Sequence, residues 1–463
     1  MFSALVVAIA LEATPVPQAT PSVAETLISS AQESHGAFTL LTDLVDTVGS
    51  RLSGSDGAAA GVAWGVQHLS GLGLEVSKES VLVPVWVRGL EQAEVVAGKG
   101  RRAHPLALTA LGGSPGTRRG GLEADVVEVD SLAELQERAP SVRGRIVFFN
   151  HGMTVPQDYR RFGQLRTKGP AAAAKLGAVA ALVRSLATAS MRSPHTGQTD
   201  FKPGEVAIPA AAISVEDAEL LHRLLATGPV RVHLALGCRI LPDARSSNVV
   251  ADLRGREHPD EIVLLGAHLD SWDLAVGAQD DGAGVALVVE AARLLAALPE
   301  RPRRTVRFVH FMNEENGLRG AKTYAIDHAS ELPHHVAAME LDAGAGRPLG
   351  VALKAGAGAQ ALLETWLPPL VKLGAGSFLE EDAQGADLSP MAAAQVPFAS
   401  VVQDTTHYFD IHHSAADTLD KVDLDAFSRT SAAVAWLTYA LADSESVLPR
   451  PPPPVPAGTS SAR

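Results

Sequence analysis

The sequence predicts an α/β fold, in which helices cover both faces of a mostly parallel, mixed sheet and a second α/β domain is inserted. From Ser247 onward, short apolar runs rich in β-branched residues alternate with segments of helical periodicity, the pattern of an open α/β sheet. Acidic and imidazole side chains follow several of these runs, at the end where such sheets bind ligands. Between Gly113 and Cys238 the pattern of residues along the sequence changes, which indicates a self-contained insert.

The first part of the main domain is predicted to span residues 23–112. A helical pattern from Ala24 leads to the Gly/Ser-rich turn "GSRLSGSDG", and a helix from Ala58 to Leu69 follows it. The next stretch, "GLGLEVSKESVLVPVWV", contains a β-branched run that predicts extended structure up to about Val87.

The insert is predicted to span residues 113–238. Within it, "RGRIVFFN" has the composition of a strand, and "GPAAAAKLGAVAALVRS" predicts a helix of small residues that runs into a strand. The segment "AIPAAAISVEDAELLHRLL" predicts a strand followed by a capped helix. Cys238 ends a strand-like run and is expected to be a small buried apolar residue.

The second part of the main domain, residues 239–445, is predicted to contain alternating strands and helices. The predicted strands are Glu261–Ala267, Thr305–Met312, Val336–Leu341 and Pro397–Val402, and the predicted helices include Gly282–Leu298 and Asp425–Leu441.

Composition excludes several classes of function. The 39 Lys and Arg residues are outnumbered by 52 Asp and Glu, giving a net charge of -13, so no electrostatic case for nucleic-acid binding exists. Cys238 is the only cysteine, which excludes intramolecular disulfides and zinc sites built from several thiolates.

The two ends of the chain differ from the rest. Residues 1–22 contain an apolar run from Phe2 to Leu11 and then a Pro/Thr/Ala-rich stretch, which favours a leader segment of an exported protein, periplasmic or secreted. The run is too short to span a bilayer, and no later segment has a transmembrane pattern. Residues 446–463 are Pro-rich and polar, which predicts a disordered tail.

Potential metal ligands gather at the predicted strand ends. His268 and Asp270 directly follow one strand, and alternate residues of an extended segment point the same way. The remaining candidates open the next helix or follow other strands: Asp280, Asp281, Glu314, Glu315, Asp342 and His413. Taken singly, an Asp at such a position is usually a helix cap and a lone histidine usually a satisfied polar group. Their coincidence at one edge of one sheet favours a metal site.

The ligand types indicate which metal chemistry is expected. Imidazole and carboxylate ligands without thiolate suit zinc or a similar divalent ion, and this many carboxylates suits two ions that share a bridge. Such a pair lowers the pKa of a bound water from about 15.7 toward about 7. Because Glu314 and Glu315 are adjacent in an extended turn, one is expected to bind metal while the other takes the proton of the water.

Several quoted segments carry a family resemblance. "AHLDSWD", "GAQDDGAG", "NEENGLRGA", "ELDAG" and "HHSAADT" are similar to the di-zinc exopeptidases related to bacterial leucyl aminopeptidase, and most similar to the carboxypeptidase Q branch of that family. The segments "YRRFGQLRTKGPAAAAKLGA", "SPHTG" and "IPAAAISVEDAE" resemble the protease-associated-type insert of that branch. The resemblance therefore runs from about Ala24 to Pro449 and implies the zinc-exopeptidase fold.

The resemblance also implies a role for each candidate residue. Asp280 would bridge two zinc ions, with His268 and Asp342 on one and Glu315 and His413 on the other. Three further roles are implied: Glu314 as general base, Asp270 as the carboxylate that orients His268, and His412 as a neighbour of the ligands, since His413 fits the family spacing H-x-x-x-D-T up to Asp417.

The sequence thus predicts a metal-dependent exopeptidase that hydrolyses dipeptides or removes N-terminal residues by a two-zinc, bridging-water mechanism. His195 in "SPHTG" could hold a substrate carboxylate, and Tyr408 could polarise the scissile carbonyl. Two alternatives are a single-zinc glutaminyl cyclase and a non-catalytic binding module on a peptidase scaffold. The expected partners are short peptides, with no nucleic acid and no integral membrane span, and the resemblance implies a homodimer.

Overall fold

The computed structural model describes residues 22–98, 102–189 and 191–453, which form two sheets with their helices. The predicted leader lies outside these residues except for Ser22, which caps the first helix. The helices are α1 (Val23–Ser34), α2 (Gly36–Thr47), α3 (Asp56–Gly71), α4 (Leu132–Glu137), α5 (Asp158–Thr167), α6 (Gly169–Lys175), α7 (Val215–Ala226), α8 (Ala283–Ala296), α9 (Arg319–Asp327), α10 (Ala359–Glu364), α11 (Tyr408–Ile411) and α12 (Leu424–Asp443). The strands are β1 (Glu75–Val87), β2 (Glu91–Val95), β3 (His104–Pro105), β4 (Leu108–Ala110), β5 (Leu122–Val129), β6 (Ile146–Phe149), β7 (Ala180–Arg184), β8 (Ala210–Ile213), β9 (Arg231–Leu236), β10 (Arg239–Leu253), β11 (His258–His268), β12 (Arg304–Phe311), β13 (His335–Glu340), β14 (Pro348–Lys354) and β15 (Phe398–Gln403).

The main sheet has seven strands in the order β1-β10-β12-β11-β13-β15-β14. The central strands β12, β11, β13 and β15 are parallel to one another. By contrast, β1, β10 and β14 pair antiparallel at the two sides. The predicted α/β fold with a mixed sheet is confirmed, and every strand predicted for the second part of the main domain belongs to the parallel centre.

Alternate residues of the central strands pack into two different cores. In β11, Val263 and Leu265 belong to the larger core, which α1, α2, α3, α8 and α12 cover. Leu264 faces the opposite core together with Tyr324 of α9. Because both faces are covered, the strand is apolar along its length rather than alternating, as expected for a buried parallel strand.

The second sheet has eight strands in the order β3-β2-β9-β5-β6-β7-β8-β4, and it corresponds to the predicted insert. Its start differs from the prediction, since β2, β3 and β4 all precede Gly113. The boundary moves because β2 pairs with β9 of this sheet, with Glu91 opposite Leu236. The pairing partner of β2 is about 140 residues away in the chain. The sequence around this short strand therefore does not indicate which sheet it joins.

The predicted disordered tail is wrong for its first residues. Leu448 is 3% exposed and belongs to the main core. The carbonyl of Pro449 accepts the amide of Gly356 at 2.7 Å, and the Arg450 guanidinium donates to backbone carbonyls including those of Ala394 and His335, each at 3.0 Å. The prolines suppress regular structure but do not prevent packing of the apolar residue between them and α12.

The described residues were also searched for membrane spans. None of their helices combines the length and the apolar character needed to cross a bilayer.

The packing of the C-terminal segment can be tested by comparing neighbouring residues. Leu448→Ala should lower the free energy of unfolding by about 2–5 kcal/mol, the usual cost of emptying a buried leucine site. Val447, which is 42% exposed, is the matched control, and Val447→Ala should change stability by less than about 0.5 kcal/mol. Urea denaturation followed by tryptophan fluorescence would measure both. Equal stability of the two variants would contradict the packing described above.

Candidate metal centre and active site

The candidate residues converge at the carboxyl ends of the four parallel strands. His268 is the last residue of β11, and Asp342 follows β13 by two residues. Glu314 and Glu315 follow β12, and His413 follows β15 after the short helix α11. Neighbouring strands β11 and β12 are in register so that His268 lies opposite Phe311. The fold therefore brings distant parts of the sequence to one edge of the sheet.

Asp280 is the centre of the cluster. Its Oδ1 lies 3.2 Å from His268 Nε2, and its Oδ2 lies 3.1 Å from His413 Nε2. Each histidine also meets a second carboxylate: His268 Nε2 is 3.6 Å from Asp342, and His413 Nε2 is 2.9 Å from Glu315. The five predicted ligands thus form two similar halves that share Asp280.

Backbone contacts set the orientation of the two imidazoles. His268 Nδ1 is 2.9 Å from the carbonyl of Asp270, and His413 Nδ1 is 3.4 Å from the carbonyl of Thr196. When each Nδ1–H donates to its carbonyl, each Nε2 presents a lone pair to the carboxylates of the cluster. Two acceptors that face each other at about 3 Å repel unless a proton or a metal ion lies between them.

The role predicted for the Asp270 carboxylate needs a correction. The carbonyl of Asp270, not its carboxylate, contacts His268. The carboxylate accepts the amides of Asn313 at 2.6 Å and Glu314 at 3.0 Å, and the Ser53 hydroxyl at 2.9 Å. This difference arises because the chain turns after His268 and directs the Asp270 side chain under the β12 loop. Asp270 therefore positions the turn that carries Glu314.

The donor set fits a divalent metal. Ligand atoms of the cluster lie within 4.8 Å of one another in overlapping groups of three, for example His268, Asp280 and Glu315. Asp280 Oδ2 and Glu315 Oε1 are buried and have no hydrogen-bond partner among the described residues. Buried carboxylate oxygens are expensive to leave unpaired, and imidazole with carboxylate is a set that suits zinc.

The electrostatics of the site also favour a bound cation. Burial by itself would lower the pKa of His268, but the Asp280 and Asp342 carboxylates raise this pKa well above its usual range. Burial raises the pKa of Glu314 well above its usual range, and the nearby Asp342 and Glu315 carboxylates raise it further. So many carboxylates cannot all ionise in a buried site without positive charge among them, and divalent cations supply that charge.

Two further aspartates hold the backbone of the site. Asp281 Oδ1 accepts the amide of Gly284 at 3.0 Å, which caps the start of α8, and its Oδ2 accepts the amide of His268 at 3.1 Å. The Asp417 carboxylate accepts the amide of Asp280 at 3.0 Å. The Asp281 carboxylate is thus held by two backbone amides. His413, which contacts the Asp280 carboxylate, and Asp417, which accepts the Asp280 amide, therefore lie in one segment.

Sequence reasoning missed Arg51, which is completely buried beside the site. Its guanidinium donates to the carbonyls of Leu269, Gly49 and Val276, each at 2.8 Å, and of Gly277 at 3.0 Å. These bonds fix the loop between His268 and Asp280. The residue lies in the Gly/Ser-rich turn "GSRLSG", where no local pattern distinguishes it from a solvated arginine.

His412 lies beside the cluster, and one of its ring nitrogens is within reach of Asp280 and His413. Its ring stacks on that of His413 with 3.6 Å between the ring centres, and its Nε2 is 3.7 Å from Asp280 Oδ2. His413 is nearer to Asp280 and also meets Glu315. The geometry therefore favours His413 over His412 as the ligand that contacts both carboxylates.

A cavity of about 1100 Å³ opens onto the cluster, and its lining includes Asp280, Glu314 and Tyr408. One wall is formed by α5 of the insert, so the two sheets of the protein enclose the site together. Burial raises the pKa of Tyr408 well above its usual range, and the nearby Asp280 carboxylate raises it further. Tyr408 is therefore a protonated hydrogen-bond donor at the cavity surface.

His195, predicted to contact substrate, lies outside the cavity lining. Its side chain is 2% exposed, and its amide donates to the Ser185 hydroxyl at 2.9 Å. Burial, aided by the nearby His413, lowers the pKa of His195 to about 3. The loop packs beside the ligand segment instead of closing over it, because the amide of Thr196 donates to the His413 carbonyl at 2.8 Å.

Comparison with known proteins identifies the family. The model of peptidase family M28 matches residues 248–438, a range that contains every predicted ligand. Human carboxypeptidase Q is 38% identical over 433 residues, which cover 92% of this chain and 90% of that protein. Mouse carboxypeptidase Q is 39% identical over 409 residues, covering 88% of this chain and 86% of that protein.

Solved structures agree with these sequence matches. The peptidase M28 precursor from Shewanella amazonensis superposes with a TM-score of 0.89 at 39% identity, covering 93% of this chain and 98% of that one. The aminopeptidase from Aneurinibacillus sp. strain AM-1 has the same fold, with a TM-score of 0.64 at 20% identity and coverage of 93% and 97%. The chain therefore belongs to peptidase family M28 and is a metallo-exopeptidase similar to carboxypeptidase Q.

Proposed function

We propose that the protein hydrolyses short peptides, either dipeptides or the N-terminal residues of longer chains, with two zinc ions. The observation that carries this proposal is the division of the cluster into two halves around Asp280. One oxygen of Asp280 faces His268 and the other faces His413, and each histidine has its own second carboxylate. A site for one ion would need only one of these halves.

The chain offers a separate set of ligands to each ion. His268 and Asp342 would hold one zinc, Glu315 and His413 would hold the other, and Asp280 would serve both. When bound, such a metal pair acts as a Lewis acid on the scissile carbonyl and acidifies a water molecule.

Glu314 is the proposed general base. It lines the cavity, its amide is fixed by Asp270 at 3.0 Å, and its carboxylate has no hydrogen bond within the described part of the chain. Glu315, by contrast, is directed at His413. Glu314 would take a proton from the attacking water and return it to the amine that leaves when the peptide bond breaks.

Tyr408 is the proposed donor to the substrate carbonyl. It lines the same cavity, and its ring lies against the backbone near Gly344, close to the position where Asp342 enters the site. A buried phenol that stays protonated can donate a hydrogen bond to the carbonyl oxygen as negative charge develops there. Asp270 takes no direct part in this scheme and acts by positioning Glu314.

The role of Glu314 predicts a selective loss of turnover. Glu314→Gln should lower kcat by roughly 10²–10⁴-fold, because removal of a general base has an effect of that size. Zinc content and dipeptide binding should stay near the wild-type values, since the amide retains the shape of the side chain. Steady-state kinetics, metal analysis and calorimetry would measure these quantities. A Glu314→Gln enzyme with near-normal kcat would rule out the assignment.

The two-ion arrangement predicts the effect of changing the bridging residue. Asp280→Asn removes negative charge that both cations share, so zinc content should fall from two per chain and activity should collapse. Asp281→Asn is the neighbouring control: the Asp281 carboxylate is occupied by backbone amides, so this variant should lose stability rather than zinc. Metal analysis after dialysis measures both. A wild-type content of one zinc per chain would contradict the two-ion mechanism and favour a single-metal enzyme such as a cyclase.

A further inference from the structure

A buried arginine of the insert lines the cavity without an acidic partner. Arg166, near the end of α5, is 7% exposed. Its Nη1 donates to the Thr196 carbonyl at 3.1 Å, and its Nη2 donates to the Tyr159 hydroxyl at 2.6 Å. Its Nε has no hydrogen-bond partner among the described residues. The hydrogen bonds of this guanidinium therefore go to neutral groups, and among the described residues no carboxylate forms an ion pair with it.

This burial distinguishes Arg166 from the other basic residues of the cavity. Arg160, Lys168 and Lys322 also line it, but all three are exposed, so water solvates their charges. A buried cation without an anionic partner costs several kcal/mol. An anion supplied from outside the chain would offset that cost.

The position of Arg166 matches a particular anion. Its Nη1 is 3.4 Å from Nδ1 of His413, whose opposite nitrogen, Nε2, meets Glu315. One imidazole ring thus separates the guanidinium from the ligand cluster. In a dipeptide, the C-terminal carboxylate carbon lies roughly 3–4 Å from the scissile carbonyl carbon. Each added residue moves that carboxylate roughly 3.5 Å further away.

We propose that Arg166 binds the C-terminal carboxylate of a dipeptide, so that the insert selects substrates by length. The proposal rests on the peptidase function proposed above and names its substrate class. A guanidinium suits this task because its planar fork of donors matches a carboxylate. Tyr159 holds that fork in place through its hydroxyl, and the guanidinium carbon lies 5.2 Å from the centre of the Tyr159 ring. Arg166 would thus bind the substrate carboxylate, the role that the sequence predicts for His195.

The test compares two substrates that differ only at the C-terminus. For wild type, Arg166→Gln and Arg166→Lys, kcat and KM would be measured for the best of a panel of unblocked dipeptides and for the C-terminal amide of the same dipeptide. Release of the N-terminal amino acid reports cleavage in both cases. Arg166→Gln should lower kcat/KM for the dipeptide roughly 10–100-fold through KM, the range expected for a lost charge-assisted hydrogen bond. Hydrolysis of the amide should change less than about threefold, and Arg166→Lys should restore part of the dipeptide activity.

Arg161→Gln is the matched control, because Arg161 is an exposed arginine of the same helix and is absent from the cavity lining. It should leave both substrates unaffected. Amide hydrolysis and zinc content also show that each Arg166 variant is folded. Equal losses for dipeptide and amide would mean that Arg166 only positions Thr196 and His413, which would overturn the proposal. Equal wild-type activity on both substrates would overturn it as well. Failure of the zinc-loaded wild type to cleave either substrate would instead refute the proposed function. The proposed role of Arg166 would then fall with it.

Discussion

The candidate active site depends on balancing the negative charge of several buried carboxylates. Asp280 lies between two histidines, and further carboxylates lie next to it, in a site that is largely closed to water. Burial opposes ionisation of each of these groups, and their proximity adds mutual repulsion. The imidazoles relieve part of this cost, and metal ions would relieve the rest. The geometry of the surrounding loops follows from the need to hold these side chains together.

Most of that support comes from the backbone and from groups outside the cluster. Arg51 fixes the loop between His268 and Asp280 through three carbonyls of that loop. Asp270 fixes the turn that carries Glu314, and Asp417 fixes the amide of Asp280. These residues interact mainly with backbone groups and do not contact the ligand atoms of the cluster.

The insert is part of the active site rather than an accessory domain. The Thr196 amide donates to the carbonyl of His413, and α5 provides a wall of the cavity. Trp272, from the loop after β11, packs into the core of the insert. Arg88 pairs with Asp273 across the same boundary. The loops of the candidate site are therefore held from two sides, as the proposed selection of substrates by the insert requires.

Much of the fold and of the site followed from local patterns. Apolar β-branched runs identified the four parallel strands, because strands buried on both faces must be apolar throughout. The polar residues at their ends, from His268 to His413, could be named because parallel strands place their carboxyl ends at one edge. The family resemblance of the quoted segments added the roles of Glu314 and Glu315, which spacing alone left open.

Other features depended on contacts between residues far apart in the chain. The start of the insert was misplaced because β2 is defined by its pairing with β9, and the segment from Leu448 to Arg450 looked disordered because its partners lie far from it in sequence. Arg51 and Arg166 resemble surface arginines in the sequence, and His195 resembles a mobile loop residue, until folding buries all three. The sequence by itself determined the four parallel strands, the helices predicted beside them and the chemical types at the strand ends, since these depend on local periodicity. Tertiary structure alone decided which charges are buried and what each one faces, because burial and pairing are properties of the packed chain.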